Sequence, residues 1–340
     1  ARRLARDICG TEPERMSPPK MAELCSAAFA DTSVRVDVFE VVSQLVSHYP
    51  LLMAVARASL PVRRHHPRVV RLRYEGEGPI TRTVLLAGKG LSYDTGGADL
   101  KAGGHMAGMS RDKGGAAAVA GLMLAAARLR PKGLRIIAEL GCVRNSVGAE
   151  ALVSDEIIRA HSGCRVRIGN TDAEGRLVMA DLLSHLRGAA TRCPNPHLFS
   201  VATLTGHASR AVGPYSIAMD NGPARKAGMA VGLERVGDLW GDPFAVSRLR
   251  REDFAFVRPR SRADDVLSCN NAPSTQTPRG HQFPMAFLAM ASGLVNHGLG
   301  TAFPLPYTHI DIGGSGVEGG DWQHGRPSAA PVLALAKRLF

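Results

Sequence analysis

A chain of 340 residues, of which 45% are hydrophobic, holds enough material for one large domain with its own core. It contains no run of 18 apolar residues, which excludes a typical membrane-spanning helix. The net charge of +12 indicates attraction to acidic partners. Because no zinc-finger spacing or RNA-binding signature accompanies this charge, a solvated basic surface is the preferred interpretation, and nucleic-acid binding stays open as the lesser one.

Hydrophobic periodicity and β-branched runs predict strands that alternate with helices along the chain. This alternation indicates an α/β fold, a mostly parallel mixed sheet flanked by helices on both faces. Polar, proline-containing residues over 261–282 and glycine-rich residues over 313–326 predict long loops. In chain order, we expect a helix over Lys20–Ala30, mixed strand and helix over Val34–His48, strands over Arg68–Tyr74 and Thr81–Ala87, a buried helix over Gly114–Leu129, strands over Leu134–Leu140 and Arg165–Ile168, a helix over Leu177–Ala190, a strand over His197–Leu204, a helix over Met285–Asn296 and a strand over Tyr307–Ile312.

A glycine-rich segment follows the apolar strand Thr81–Ala87 and is expected to form a loop. It reads Gly-Lys-Gly-Leu-Ser-Tyr-Asp-Thr-Gly-Gly from residue 88 to residue 97, and the buried helix begins after it. Ligands of open α/β sheets bind beyond the carboxyl ends of the strands. The phosphate-loop spacing GxxxxGK[ST] is absent, which disfavours nucleotide binding. The charged residues that this region would present for chemistry are Lys89, Asp94, Lys101 and Asp112.

A second polar segment, Asn-Thr-Asp-Ala-Glu-Gly-Arg over residues 170–176, follows the short strand Arg165–Ile168. If the segment is extended, alternate residues point to one side, which would align Asp172, Glu174 and Arg176. Taken alone, this pattern is equally compatible with a ladder of surface ion pairs.

The two segments together favour a metal site. Four carboxylates in one crevice, those of Asp94, Asp112, Asp172 and Glu174, would repel one another unless two divalent cations balanced their charge. Two-metal hydrolases use such an arrangement to activate a water nucleophile. Oxygen-rich ligands without histidine or cysteine suit Zn, Mn or Mg and argue against a closed structural zinc site.

The same residues resemble the leucyl aminopeptidase family, of the cytosol aminopeptidase type. The run Asn-Thr-Asp-Ala-Glu-Gly-Arg-Leu from residue 170 is highly specific for that family, and the ordered lysines and aspartates upstream are an independent match. The pattern Met-x-Gly-Met-x-Arg-Asp, ending at Asp112, is closer to the probable aminopeptidase-like branch. The resemblance covers nearly the whole chain, through further segments at Asp7–Met16, Ala202–Gly206, His309–Ile312 and Gly325–Pro327.

The resemblance implies a role for each matching position. Asp94, Asp172 and Glu174 would hold one metal ion, and Lys89, Asp94, Asp112 and Glu174 the second. Lys89 would then have to be neutral, with a pKa lowered by the metal charge.

Catalysis and substrate binding are implied in the same way. A hydroxide bridging the two metals would attack the peptide carbonyl, and Lys101 would polarise that carbonyl. Arg176 would anchor a bicarbonate that acts as general base. The substrate would contact Met109, Thr203, Leu204 and Gly206.

The resemblance also implies that residues 1–340 form a single catalytic metallopeptidase domain, with 1–30 as a lead-in segment and the family's N-terminal domain absent from this sequence. A homohexamer that acts on peptides in the cytoplasm is implied, with an organelle as the alternative location. The function expected first is a metal-dependent aminopeptidase. The rivals are a catalytically silent oligomer with a structural or nucleic-acid-associated role, and a two-metal phosphoesterase.

Several other residues invite a functional interpretation. The six cysteines are scattered without a CxxC pair, which predicts reduced thiols. His65 and His66 lie in an arginine-rich stretch and are expected on the solvated surface. His207 either contacts substrate or is structural. His309 and Asp311, on an apolar strand, are expected to be buried and hydrogen-bonded rather than bound to metal.

Overall fold

The computed structural model describes residues 1–272 and 276–340. An eight-stranded mixed sheet forms its centre, with the strand order β1-β2-β4-β3-β7-β11-β8-β9. Two small sheets, β10-β6-β5 and β12-β13, lie outside it. The strands are β1 Arg35–Phe39, β2 Arg68–Glu75, β3 Arg82–Asp94, β4 Leu134–Asn145, β5 Ile157–Arg159, β6 Arg165–Arg167, β7 Pro196–Ala202, β8 Ser216–Asp220, β9 Phe244–Arg248, β10 Val266–Leu267, β11 Tyr307–Asp311, β12 Val317–Glu318 and β13 Arg326–Pro327.

The four central strands β4, β3, β7 and β11 run parallel, so their carboxyl ends meet at one edge of the sheet. Antiparallel neighbours, β2 and β8, flank this group. Helices cover both faces, as the sequence predicts. They are α1 Arg2–Gly10, α2 Pro18–Phe29, α3 Val42–His48, α4 Pro50–Ala56, α5 Gly114–Leu129, α6 Glu174–Ala190, α7 Gly206–Val212, α8 Gly222–Lys226, α9 Met229–Trp240, α10 Arg251–Phe256, α11 Phe283–Ala291 and α12 Val332–Leu339.

Two hydrophobic cores lie on opposite faces of the sheet. Alternate residues of β3 enter different cores, Val84 and Leu86 on the side of α5, Leu85 and Ala87 on the side of α6. A strand that is buried on both faces reads as a continuous apolar run, which is why this one is recognisable from sequence. Within the described ranges, every helix is too short or too polar to cross a lipid bilayer.

Strand β3 is longer than the sequence predicts. It continues through Gly88 to Asp94, so Lys89 and Asp94 lie on a strand, and the prediction that they belong to a loop is wrong. Gly88 and Gly90 mark a close approach of helix α5 and not a turn: a Cβ added at Gly88 would lie 2.9 Å from the Cα of Ala116. Gly96 and Gly97, beyond the strand, have left-handed φ values of +87° and +70° and do belong to a turn. Strand β4 is similarly extended, to Asn145.

The polar segment 170–176 is not extended, which corrects the second prediction. Thr171–Ala173 forms a 3₁₀ turn that Asn170 caps by accepting a hydrogen bond from the Asp172 amide. Helix α6 then begins at Glu174, three residues before the predicted start. A carboxylate in the first turn of a helix is favoured by the helix dipole.

Other predicted boundaries differ less. The helix expected over 285–296 ends at Ala291, because Gly293 adopts a left-handed conformation with φ of +79° before a short 3₁₀ turn. The expected loop over 261–282 contains the two-residue strand β10, and its residues 273–275 lie outside the described residues. Helix α5 has the predicted bounds.

Candidate metal centre and active site

The candidate site lies at the carboxyl end of the central parallel strands. Strand β3 contributes Lys89 and Asp94, and the following loop contributes Lys101. Asp112 lies two residues before helix α5, Asp172 lies in the 3₁₀ turn before helix α6, and Glu174 is the first residue of that helix. The structure therefore brings together all four predicted carboxylates and both predicted lysines.

Lys89 lies at the bottom of this cluster. Its amine, Nζ, is 2.8 Å from Oδ1 of Asp112 and 3.1 Å from Oε1 of Glu174, and it donates a hydrogen bond of 3.0 Å to the carbonyl of Thr203. Gly175 leaves the room for it, since a Cβ at that position would lie 2.5 Å from Cε of Lys89. Any larger residue at this position of the Ala-Glu-Gly-Arg motif would therefore force the Lys89 side chain to move.

Lys101 lies on the more open side of the cluster. Its amine is 2.9 Å from Oδ2 of Asp94 and also contacts Asp172. The other oxygen of Asp94, Oδ1, accepts hydrogen bonds of 2.8 Å from the Asn145 side chain and 2.9 Å from the Gly96 amide. Asp94 is therefore held in one orientation from both sides.

The carboxylates offer a cation more oxygens than the protein itself uses. Ligand oxygens of Asp94, Asp172 and Glu174 lie within 4.8 Å of one another. Two buried oxygens, Oδ2 of Asp112 and Oε2 of Glu174, have no hydrogen-bond partner among residues 1–272 and 276–340. Buried polar atoms are rarely left unpaired, so this donor set fits divalent metal ions.

The pKa values of these groups reflect their crowding. Burial raises the pKa of Glu174 to about 8, and the nearby Asp94 carboxylate adds to the rise. Burial also raises the pKa of Asp112 to about 6, although the charge of Lys89 opposes it. Burial and neighbouring negative charge therefore disfavour the ionised forms of Glu174 and Asp112 unless positive charge is supplied.

The two lysines supply part of that charge. Burial alone would lower the pKa of the Lys89 amine, yet the carboxylates of Asp112 and Glu174 outweigh it and hold this pKa above its usual range. The pKa of Lys101 is raised in the same way, with burial opposed by Asp94 and Asp172. The lowered pKa that the resemblance implies for Lys89 therefore requires the charge of bound metals, and it stays a prediction.

Arg176 lies two residues after Glu174 and is buried. One guanidinium nitrogen donates a 2.9 Å hydrogen bond to the Ser268 carbonyl, and the guanidinium carbon stands 4.9 Å from the centre of the Phe283 ring. Its Nε has no hydrogen-bond partner within the described part of the chain. A buried guanidinium with a free N–H fits an anion beside the metal cluster.

The predicted substrate-contacting residues have different surroundings in the structure. Thr203 donates a 2.8 Å hydrogen bond to Oδ1 of Asp112, which ties it directly to a predicted metal ligand. The Leu204 amide donates to Asp311 over 3.2 Å. Gly206 is exposed at the start of α7, and Met109 is half-buried in a 3₁₀ turn before α5.

Sequence comparison decides the family. Residues 3–336 match the cytosol aminopeptidase family, catalytic domain. The chain belongs to this family. A Caenorhabditis elegans protein named as a putative aminopeptidase is 47% identical over 311 residues, which cover 92% of this chain and 60% of that protein. A protein of Leifsonia xyli subsp. xyli, named as a probable cytosol aminopeptidase, is 32% identical and covers 98% of this chain and 64% of its own length.

Solved structures agree with the family assignment. The bottromycin maturation enzyme BotP in complex with Mn superposes with a TM-score of 0.82 at 26% identity, covering 99% of this chain and 69% of that one. This chain spans about 60% of the length of the Caenorhabditis elegans relative. The resemblance to the aminopeptidase family and the predicted α/β fold are both confirmed.

The structure of this cytosol aminopeptidase family member adds residues that the sequence did not indicate. Asn145 orients Asp94, but it lies beyond the predicted end of its strand. Asp99 and Thr171 join the two polar segments: the Thr171 amide donates to Asp99 over 2.7 Å, and the Asp99 amide donates to the Thr171 hydroxyl over 2.8 Å. Recognising these residues would have required knowing that the two segments meet.

The predictions for the individual histidines have different outcomes. His65 is buried and lies 2.8 Å from Oε1 of Glu14, so its expected place on the solvated surface is wrong. His309 is fully buried, 2.7 Å from the Ser200 hydroxyl, as predicted. Asp311 accepts a 2.7 Å hydrogen bond from Thr205, also as predicted. Each of the six cysteines is a free thiol, in agreement with the expected reduced state.

Proposed function

We propose that this chain is the catalytic part of a metal-dependent aminopeptidase that removes the N-terminal residue from peptides, with residues 1–340 acting as one catalytic domain. The observation that carries the proposal is the cluster of four carboxylates and two lysines at the carboxyl end of the sheet, with two buried oxygens left unpaired among the described residues. Membership of a family named for aminopeptidase activity supports the same conclusion.

Two divalent ions would be held by the residues of this cluster. Asp94, Asp172 and Glu174 would hold one, while Lys89 and Asp112 would complete the second together with Asp94 and Glu174. When bound, such ions supply Lewis acidity, which activates water at neutral pH and polarises a carbonyl. Mn is supported by the Mn complex of BotP, and Zn and Mg suit the same oxygen-rich ligands.

The protein's own groups would assist the chemistry in two places. Lys101, whose side chain is 15% exposed, would direct its ammonium at the carbonyl oxygen where negative charge develops. Arg176, with its unpaired Nε, would hold bicarbonate, whose basic oxygen accepts a proton from water. Met109, Thr203, Leu204 and Gly206 would contact the substrate. The proposed assembly is a homohexamer in the cytoplasm.

Hydrolysis assays test the proposal directly. Purified protein is incubated with leucyl, alanyl and cysteinyl-glycine reporter substrates, with added Mn or Zn, and a chelator-treated sample is the control. Metal-dependent release of the N-terminal residue is the expected result. No turnover in a sample shown to bind two metals per chain would contradict it. Salt-dependent DNA binding by such an inactive sample would favour the silent, nucleic-acid-associated alternative.

A further inference from the structure

Lys101 belongs to a closed loop that follows strand β3. The Lys101 amide donates a hydrogen bond of 2.9 Å to the Thr95 carbonyl, which joins the two ends of the loop. Gly96 and Gly97, both in the left-handed conformation, reverse the chain between them. The Thr95 amide and hydroxyl donate to the Asn145 carbonyl over 3.1 and 3.0 Å, which attaches the start of the loop to strand β4. The end of the loop that carries Lys101 is attached elsewhere.

Asp99 and Thr171 provide this second attachment. The Thr171 amide donates to Oδ2 of Asp99 over 2.7 Å, and the Asp99 amide donates to the Thr171 hydroxyl oxygen over 2.8 Å. The same hydroxyl donates to the Gly96 carbonyl over 2.7 Å. Thr171 is fully buried, and hydrogen bonds in such surroundings are stronger than in water. These three hydrogen bonds form a clamp between loop 95–101 and the 3₁₀ turn Thr171–Ala173.

The clamp joins the two segments that place the Lys101 amine. Lys101 lies two residues after Asp99, and Asp172 immediately follows Thr171. The Lys101 amine contacts the carboxylates of Asp172 and Asp94. The position of this amine therefore depends on how the loop and the 3₁₀ turn lie relative to each other. Because the Asp99 carboxylate bonds to the Thr171 backbone, its influence on the amine is exerted through these two segments.

The loop and the 3₁₀ turn are also closely packed. A Cβ added at Gly96 would lie 3.0 Å from the Lys101 amide nitrogen and 3.2 Å from Oδ1 of Asp172. A Cβ added at Gly97 would lie 3.1 Å from Oγ1 of Thr171. With so little free space between the segments, a small movement of the loop changes the place of the Lys101 amine relative to Asp172.

We propose that Asp99 is a positioning residue, which acts through Thr171 to hold the Lys101 ammonium where negative charge develops on the substrate oxygen. The inference rests on the proposed function, in which Lys101 stabilises that charge. Three of the five predicted metal ligands lie on strand β3 and helix α6, which the clamp does not hold in place. Loosening the clamp should therefore lower kcat and leave the bound metal unchanged.

Combined substitutions test the proposal. Asp99→Ala should lower kcat at least about tenfold at unchanged metal content, since a misplacement of about 1 Å can cost about 10²-fold. Asp99→Asn retains an oxygen that accepts from the Thr171 amide, so it should recover most of the rate. Asp31→Ala, at an exposed position in the turn after α2, is the control. In a Lys101→Ala background, Asp99→Ala should have no further effect, because the group that it positions is gone. An unchanged kcat, an equal loss in both backgrounds or a loss of metal would overturn the proposal.

Chemical labelling separates this inference from the proposed function. Acetic anhydride modifies lysine amines, and peptide mass spectrometry measures the rate at Lys101, with the exposed Lys132 as internal reference. In the Mn-supplemented full chain, we expect faster labelling of Lys101 in Asp99→Ala than in the parent protein or in Asp99→Asn, because the loop is released. Faster labelling in a protein without turnover would retain the clamp and contradict the proposed function. Turnover with equal labelling in all three proteins would overturn the clamp alone.

Discussion

At the scale of single residues, the two lysines of the site have different surroundings. The Lys89 side chain is 4% exposed, packs on Gly175 and donates to a backbone carbonyl, which fixes it within the cluster. The Lys101 side chain is 15% exposed, and its amine contacts the carboxylates of Asp94 and Asp172 on the open side of the cluster. The surroundings of Lys89 suit a metal ligand, and those of Lys101 suit a group that contacts the substrate.

Removing the Lys101 amine tests that division. We expect Lys101→Ala to lower kcat by roughly 10²–10³ with metal content unchanged, because it removes one donor to the developing oxyanion. Steady-state kinetics and elemental metal analysis measure the two quantities. Lys132→Ala, at an 80% exposed side chain, is the control. An unchanged rate in the Lys101 variant would remove this residue from the mechanism.

Adding one methyl group at Gly175 should displace Lys89. The new Cβ would lie 2.5 Å from Cε and 2.6 Å from Nζ of Lys89, so the lysine must move. We expect metal affinity to fall more than tenfold, as measured by titration of the metal-free protein. Gly188→Ala, in the same helix with nothing within 4 Å of the new Cβ, should leave affinity unchanged and stabilise the helix by about 0.5–1 kcal/mol. Similar effects of both substitutions would refute the steric explanation.

At the scale of elements, helix α7 is anchored to the strand beside it. The Thr205 hydroxyl donates to Asp311 over 2.7 Å and accepts from the Ala208 amide, which caps the helix. The Leu204 amide donates to the same aspartate. The position of the substrate segment is therefore set by one buried carboxylate on β11.

Substituting Thr205 should loosen this segment. Thr205→Val removes the cap and one hydrogen bond of a buried carboxylate, so we expect a loss of about 1–3 kcal/mol in unfolding free energy and a higher KM. Urea unfolding and substrate kinetics measure the two effects. Thr205→Ser retains the hydroxyl and should recover most of both. Failure of the serine variant to recover them would show that the methyl group, and not the hydroxyl, matters.

A comparison of the individual helices and strands shows which features could be predicted from the sequence. Helix α5 was predictable to its ends because its alanine-rich pattern is local, and all four carboxylates were recognisable as a set. The extent of β3 was not, because Gly88 resembles a turn signal until the packing of Ala116 against it is known. The role of Asn145 depends on the register between β3 and β4, which is a non-local feature.

At the scale of the whole molecule, the opposite end of the sheet carries a buried histidine. His197 on β7 lies 2.9 Å from the Thr308 hydroxyl and stacks on Phe199, with ring centres 4.4 Å apart. Burial lowers the pKa of His197 to about 3, with a smaller contribution from Arg338. In the unfolded chain the same imidazole titrates near its ordinary value of about 6.5.

This difference predicts acid sensitivity with a defined sign. Between about pH 6.5 and 3, the unfolded chain binds the extra proton, so stability is complete above this window and falls as the pH drops through it. At pH 5 the contribution of His197 is a loss of about 2 kcal/mol. Urea unfolding at pH 7.5 and 5.0 should show a smaller loss in His197→Gln than in the parent, while His48→Gln, at an exposed position, keeps the parental loss. Equal losses in all three proteins would contradict the assignment.

The ion pairs of Lys89 and Lys101 also bear on the order of assembly. Each ammonium neutralises carboxylates that would otherwise repel one another, so the chain contains its own counterions. Folding of the sheet and its two flanking cores then does not have to wait for a metal ion. We expect folding and metal loading to be separate events, so that one preparation of folded protein can be charged afterwards with Mn, Zn or Mg and its activity compared ion by ion.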